Sequence, residues 1–152
     1  MKIYADLRWP DKTGIGVVKT ELLRRVPNCF DVTDLKVATR IGSPWSTFAL
    51  GFALRRSSGS RAGVFWSPGF IPPAAASVPA IVTVHDLLHL HYYSRFHVAY
   101  YNLLFRPLYR RCRAVVCDSD FTRNEFLEWS GFPAERCFTV HLGDGNSFPS
   151  HA

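Results

Sequence analysis

Ala80-Ile81-Val82-Thr83-Val84-His85-Asp86 is the stretch that decides the fold. Its first five residues are apolar or β-branched without polar alternation, the pattern of a strand covered by helices on both faces of a parallel sheet. Pro79 marks its start, and the change to His85-Asp86 marks its carboxyl end. Outward from it, short β-rich runs recur at Lys2 to Leu7, Phe30 to Leu35, Gly63 to Trp66, Ala114 to Asp118 and Cys137 to Leu142. Helical patterns lie between them at Gly16 to Arg25, Trp45 to Arg56, Ser94 to Arg111 and Asp120 to Trp129. This alternation predicts βαβ units, and hence an α/β, Rossmann-like three-layer domain with a mainly parallel sheet.

Local chemistry sharpens the boundaries. Pro107 sits inside the third helical pattern, where it lacks an N–H and crowds the preceding turn, so a kink or break is expected there. Ser119 is placed to cap the last helix, and Gly131 followed by Pro133 ends it. Arg55 to Gly63 and the proline-rich Ser67 to Pro79 read as loops. A single domain over residues 1–145 is expected, with 146–152 as the start of an interdomain linker or a tail.

With 152 residues, 47% of them hydrophobic, the chain can bury one sizeable core. Cys29, Cys112, Cys117 and Cys137 lie in apolar runs without metal-binding spacing, so all four are expected to be buried free thiols in a reducing cytosol. The first residues lack the features of a signal peptide, and no apolar run approaches the roughly 20 residues that span a bilayer. A cytoplasmic protein is expected, with peripheral attachment at the inner face of the cytoplasmic membrane as an option.

The net charge of +6 is carried mostly by arginine, clustered at Arg24-Arg25, Arg55-Arg56 and Arg106 to Arg113. Such surfaces attract nucleic acid, anionic lipid or phosphorylated small molecules. No nucleic-acid recognition module interleaves with these arginines, so nucleic acid is not an expected partner. In the segment Lys36 to Arg56, Trp45, Phe48, Leu50, Phe52 and Leu54 are flanked by Lys36, Arg40, Arg55 and Arg56. Two readings fit it: a core helix with arginines at its end, or an interfacial helix on anionic headgroups.

Three strand-to-helix junctions carry polar residues suited to chemistry. Gly14-Ile15-Gly16 follows the first strand, where glycines let the backbone turn tightly and a ligand approach the free N–H groups of a helix start. The dinucleotide fingerprint is incomplete, because Lys19 stands where its third glycine belongs. With Asp31 or Asp34 near the end of the second strand, a nicotinamide-binding oxidoreductase stays open as a minor reading. His85-Asp86 ends the most apolar strand, at the edge where open α/β sheets bind ligands. Asp118-Ser119-Asp120-Phe121-Thr122-Arg123 offers hydroxyls and backbone donors at a third strand end. His85, His89, His91 and His97 crowd one region, but no cysteine or second carboxylate completes a zinc set.

In order along the chain, these motifs resemble glycosyltransferase family 4, the retaining GT-B enzymes, over nearly the whole length. The resemblance rests on Gly14-Ile15-Gly16, Val82 to Leu87, Arg113 to Arg123, Pro133 to Val140 and Gly143-Asp144-Gly145 leading to Phe148-Pro149. It implies the N-terminal half of a GT-B architecture, which binds a glycan or lipid-linked acceptor and closes over a nucleotide-sugar held mainly by a C-terminal domain. Gly14, Ile15 and Gly16 would lie against the donor phosphates and sugar. His85 would touch the donor sugar near its reacting carbon, with Asp86 orienting it or the acceptor; Ser119, Phe121, Thr122 and Arg123 would complete the substrate-binding set. The resemblance implies no metal and no cofactor beyond the nucleotide-sugar co-substrate, and a front-face path in which the leaving phosphate helps deprotonate the acceptor. The basic and acidic groups of a donor domain have no counterpart among these motifs, so no transfer is expected unless such a domain is supplied in cis or by another chain. The alternative is a stand-alone, non-catalytic module that binds a glycan, glycolipid or phosphorylated ligand.

Overall fold

The computed structural model describes residues 1–59 and 62–143. Six strands, β1 (Lys2–Ala5), β2 (Asp31–Asp34), β3 (Val64–Ser67), β4 (Ala80–Val84), β5 (Ala114–Cys117) and β6 (Cys137–Thr139), form one sheet in the order β2-β1-β3-β4-β5-β6. Every pairing is parallel, so all six carboxyl ends meet at one rim. The helices are α1 (Gly14–Arg25), α2 (Ser46–Ser58), α3 (Leu88–Tyr92), α4 (Arg95–Tyr100), α5 (Arg106–Tyr109) and α6 (Asp120–Ser130). The fold is the expected α/β, Rossmann-like arrangement.

The two faces of the sheet are unequal. Tyr4, Phe65, Val82, Val84, Val115, Cys117 and Cys137 alternate onto one face and join Leu50 and Leu54 of α2, Phe105 and Tyr109, and Phe126 of α6 in a single buried cluster. On the other face, Trp66, Ile81 and Val116 are only half-buried and Phe138 is 51% exposed. Parallel crossovers are right-handed, and only the β1-to-β2 step runs toward that edge of the sheet, so α1 alone covers this side among the described helices. It buries just Gly16 and Lys19. The continuous apolar character of β4 therefore reports one packed face and one thinly covered one.

Several local expectations change. The third helical pattern is not one helix. Tyr101–Phe105 form a π turn in which the N–H of Arg106 reaches back to Tyr101 O, and Pro107 then falls in the first turn of α5, where a missing N–H costs little. The distortion thus sits one turn before the proline, on the side of the carbonyl its ring would strike. α3 was not expected, because Leu88-His89-Leu90-His91 alternates like a strand; the Asp86 carboxylate accepts from the Leu88 N–H and starts the turn. α2 runs two residues past Arg56, with Ser58 buried against Ser77. Cys29 is exposed, a correction to the expectation of four buried thiols: it lies in the turn before β2 rather than in the strand. The proposed boundary after residue 145 lies outside the described residues.

Candidate functional site

Three loops meet where β4 and β5 end. His85 directly follows β4, and its ring lies between two acceptors. Nε2 donates to Pro68 O at 2.8 Å, and Nδ1 is 3.4 Å from Asp118 Oδ2. The side chain is 13% exposed, close to the surface yet held. Below the ring, the Thr122 hydroxyl donates to His85 O at 3.1 Å. Thr122 is itself positioned by the cap of α6: Ser119 Oγ accepts from the Thr122 N–H at 3.1 Å and donates to the Thr122 hydroxyl at 2.9 Å. The Ser119 backbone is extended, as an N-cap requires. The capping sequence therefore also fixes the backbone that carries His85.

This geometry limits what His85 can do. A carbonyl only accepts, so Nε2 carries a hydrogen, and the nitrogen left to accept faces a carboxylate. While both contacts hold, the ring is a donor and cannot take a proton from an incoming hydroxyl. Asp86 does not orient it. That carboxylate is exposed and caps α3, and the groups on the ring are Asp118 and the Pro68 carbonyl.

The glycine turn lies on the same rim, two strands away, with β3 between β1 and β4. Trp9 spans the gap: it packs edge-on to Phe70 at 5.7 Å between ring centroids, and a Cβ on Gly69 would lie 2.4 Å from its ring. Pro68, next in the same loop, then reaches His85. The two glycines of the turn differ. A Cβ on Gly14 meets nothing within 4 Å, whereas one on Gly16 would lie 1.9 Å from Pro10 O. Gly14 is open to a ligand; Gly16 is required by the chain's own backbone. Ile15 between them packs against the core.

The remaining residues of the third motif divide. Phe121 is exposed. Arg123 is tied to backbone, with Nε donating to Cys137 O at 2.8 Å and Nη2 to Ala134 O at 3.1 Å, which fastens α6 to β6 and to a 3₁₀ turn at Ala134–Arg136. Other rim cations are committed in the same way. Arg8 forks onto the fully buried Asp6 and also holds Thr39 O at 2.7 Å. Buried Lys19 donates to Trp9 O at 2.7 Å and to Asp11 at 2.6 Å, and that hydrogen bond holds the Asp11 carboxyl below its usual range.

The histidines do not converge. His89 is stacked on Phe70 and Tyr101, and burial pushes its pKa down to about 4. His91 pairs with Glu125, and His97 with Ser94. Among the described residues, no group of three or more His, Cys, Asp or Glu side chains is placed to hold a metal. A groove of about 470 Å³ lined by Leu90, His91, Val98, Asn102, Glu125, Glu128 and Trp129 shares no residue with the His85 network. Sequence reading missed Pro68, Gly69 and Trp9, and it assigned Asp118 no role on the ring. The Pro-Gly pair after β3 was the one available signal of a close approach.

The family model for Glycosyltransferase Family 4 matches residues 19–143. The chain belongs to glycosyltransferase family 4. A search of the curated proteins returns no match. Family 4 membership carries a glycosyltransferase-type function, and the parallel six-stranded sheet is that of one GT-B half, its N-terminal domain. The matched span includes the family 4 chain's His85, Asp118, Ser119 and Thr122, while Gly14 to Gly16 lie just before it. No helix among the described residues is long and apolar enough to cross a membrane.

Proposed function

We propose that this family 4 chain is the acceptor-side half of a retaining glycosyltransferase, passing a sugar from a nucleotide-sugar to a glycan or lipid-linked acceptor at the cytoplasmic face of a membrane. The observation that carries the reading is the held imidazole of His85, fixed by Asp118, Pro68 and Thr122 on the same rim as the start of α1. In this reading a sugar hydroxyl replaces the Pro68 carbonyl on Nε2, and His85 orients the donor sugar as a hydrogen-bond donor. The bond from the anomeric carbon to the leaving phosphate breaks as the acceptor oxygen bonds on the same face, and the acceptor proton passes to the departing diphosphate. Gly14 leaves room for that diphosphate at the N–H groups of α1. Phe121, exposed at the start of α6, would stack on an acceptor sugar.

Charge on the leaving diphosphate needs fixed cations. Arg8, Lys19 and Arg123 are engaged within the domain, which leaves Lys12 as the uncommitted cation of the glycine turn among the described residues. A donor domain, in cis or as another chain, supplies the rest, and this chain by itself transfers no sugar. The same commitment of cations favours the second reading, a non-catalytic glycan or glycolipid module.

Separate NMR titrations with nucleotide-sugars and with short-chain polyprenyl-phosphate sugars test the proposal. Nucleotide-sugars are expected to shift the resonances of His85, with His85→Ala removing that effect, and acceptor-type ligands to shift those of the exposed Phe121 saturably. Sugar transfer by this chain alone refutes the split between acceptor and donor halves. Micromolar NAD binding with no response to either sugar ligand moves the case to the oxidoreductase reading.

A further inference from the structure

α2 has two apolar faces, and only one meets the core. Thr47, Leu50, Gly51 and Leu54 are buried, whereas Trp45, Phe48 and Phe52 are 70%, 48% and 69% exposed. The exposed three recur at i, i+3 and i+7, a single stripe along the helix. The stripe is not a core face waiting to turn inward. Thr47 donates to Pro72 O and accepts the backbone of Ala74, and a Cβ on Gly51 would come within 2.9 Å of Ala75 N, so the rotation of α2 is locked.

A second stripe lies beside it. Phe96 and Leu103 are 88% and 80% exposed, and Tyr100 between them donates to Pro44 O, one residue before Trp45. α2 follows β2, and α4 follows β4 by way of α3, so both belong to connections that leave the carboxyl rim. The charge around them has one sign. From residue 35 to residue 117 the chain carries ten Lys and Arg and one acid, Asp86. Arg40, Arg55, Arg56 and Arg95 are exposed and make no ion pair among the described residues. Scattered exposed aromatics need no explanation, but aligned ones ringed by unpaired arginines do.

We infer that this aromatic and arginine face docks the domain on an anionic bilayer and brings the strand-end rim to the level of the headgroups. Aromatic rings suit the headgroup boundary, and the arginines meet the negative surface potential. A second copy is a poor occupant, since two such faces would bring like charges together. Docking stands on the surface alone; that the rim there receives a lipid-linked acceptor rests on the transferase reading above.

Sedimentation of the chain with vesicles of phosphatidylcholine alone, and of phosphatidylcholine mixed with phosphatidylglycerol, at low and high salt, is the test. Binding is expected to the mixed vesicles only, and to weaken in high salt. Arg55→Ala and Arg56→Ala should each lower partitioning about fivefold. The triple variant Trp45→Ser, Phe48→Ser, Phe52→Ser should stay in the supernatant with an unchanged circular dichroism spectrum, since all three side chains are exposed. Equal binding to neutral vesicles, or wild-type binding by the triple variant, overturns the proposal. So does a dimer in the absence of lipid that the triple variant converts to monomer. Vesicle binding without any acceptor response at Phe121 keeps the docking and rejects the transferase reading; the reverse result rejects the docking alone.

Discussion

Replacing Gly16 by alanine separates a glycine needed by the fold from one available to a ligand. The added Cβ would lie 1.9 Å from Pro10 O, 2.6 Å from Pro10 C and 2.9 Å from Asp11 Cα. All three atoms are backbone, so no side chain can swing away, and the turn over the start of α1 must move bodily. Overpacking of this kind costs about 1–3 kcal/mol. For a chain of this size each kcal/mol lowers Tm by about 2–4 °C. That turn also carries the Thr13 cap and the Asp11 carboxylate that receives Lys19, so the loss should fall in the upper part of that range. Gly14→Ala is the control. Nothing lies within 4 Å of its new methyl, and alanine restricts the unfolded chain, so stability should be unchanged or higher by about 0.4–1 kcal/mol. Urea and thermal unfolding followed by circular dichroism read both variants. A Gly16→Ala protein as stable as wild type, or a Gly14→Ala protein that loses more than Gly16→Ala, would refute the reasoning.

The cap network under His85 should behave as one unit. Ser119→Ala should cost about 1 kcal/mol and Thr122→Val about 1–3 kcal/mol, and the double variant should lose less than the sum when urea midpoints are compared. Burial lowers the pKa of His89 from 6.5 to about 4, against the opposing pull of Asp86 and Glu125. The unfolded chain then takes up the proton first, so stability is constant above pH 6.5 and falls between 6.5 and 4, by up to about 3 kcal/mol. His89→Phe, which keeps the stack on Phe70 and Tyr101, should flatten that part of the profile. A thiol reagent should label Cys29 at once and Cys112, Cys117 and Cys137 only on unfolding, since those three are buried and the Cys112 thiol is pushed up to about 12. Rapid labelling of more than one thiol in the native protein would contradict this packing.

Element types and order were legible because they depend on local pattern. All six strands and their alternation with helices follow from short apolar runs and turn residues. Failures came where specific contacts overrode the pattern. Leu88 to Tyr92 alternates like a strand, yet the Asp86 carboxylate starts a helix there. Pro107 announced a distortion, but the π turn that absorbs it depends on where Phe105 and Tyr109 must point to reach the core. The aromatic run of α2 permitted a core helix or an interfacial one, and the structure buries Leu50 and Leu54 on one face while leaving Trp45, Phe48 and Phe52 exposed on the other.

The sequence by itself determined that the strands run parallel, that their polar ends gather at one rim, and that His85 and the Ser119 cap stand there. Strand geometry and capping act over a few residues, so they can be read from neighbours alone. Only the tertiary structure decided that Asp118 rather than Asp86 holds the imidazole, that β3 parts the glycine turn from it, and that Lys19, Arg8 and Arg123 are already engaged. Those outcomes depend on strand order and loop packing, which bring together residues as far apart in the chain as His85 and Asp118 or Trp9 and Phe70, and no local pattern encodes which of several suitable partners arrives.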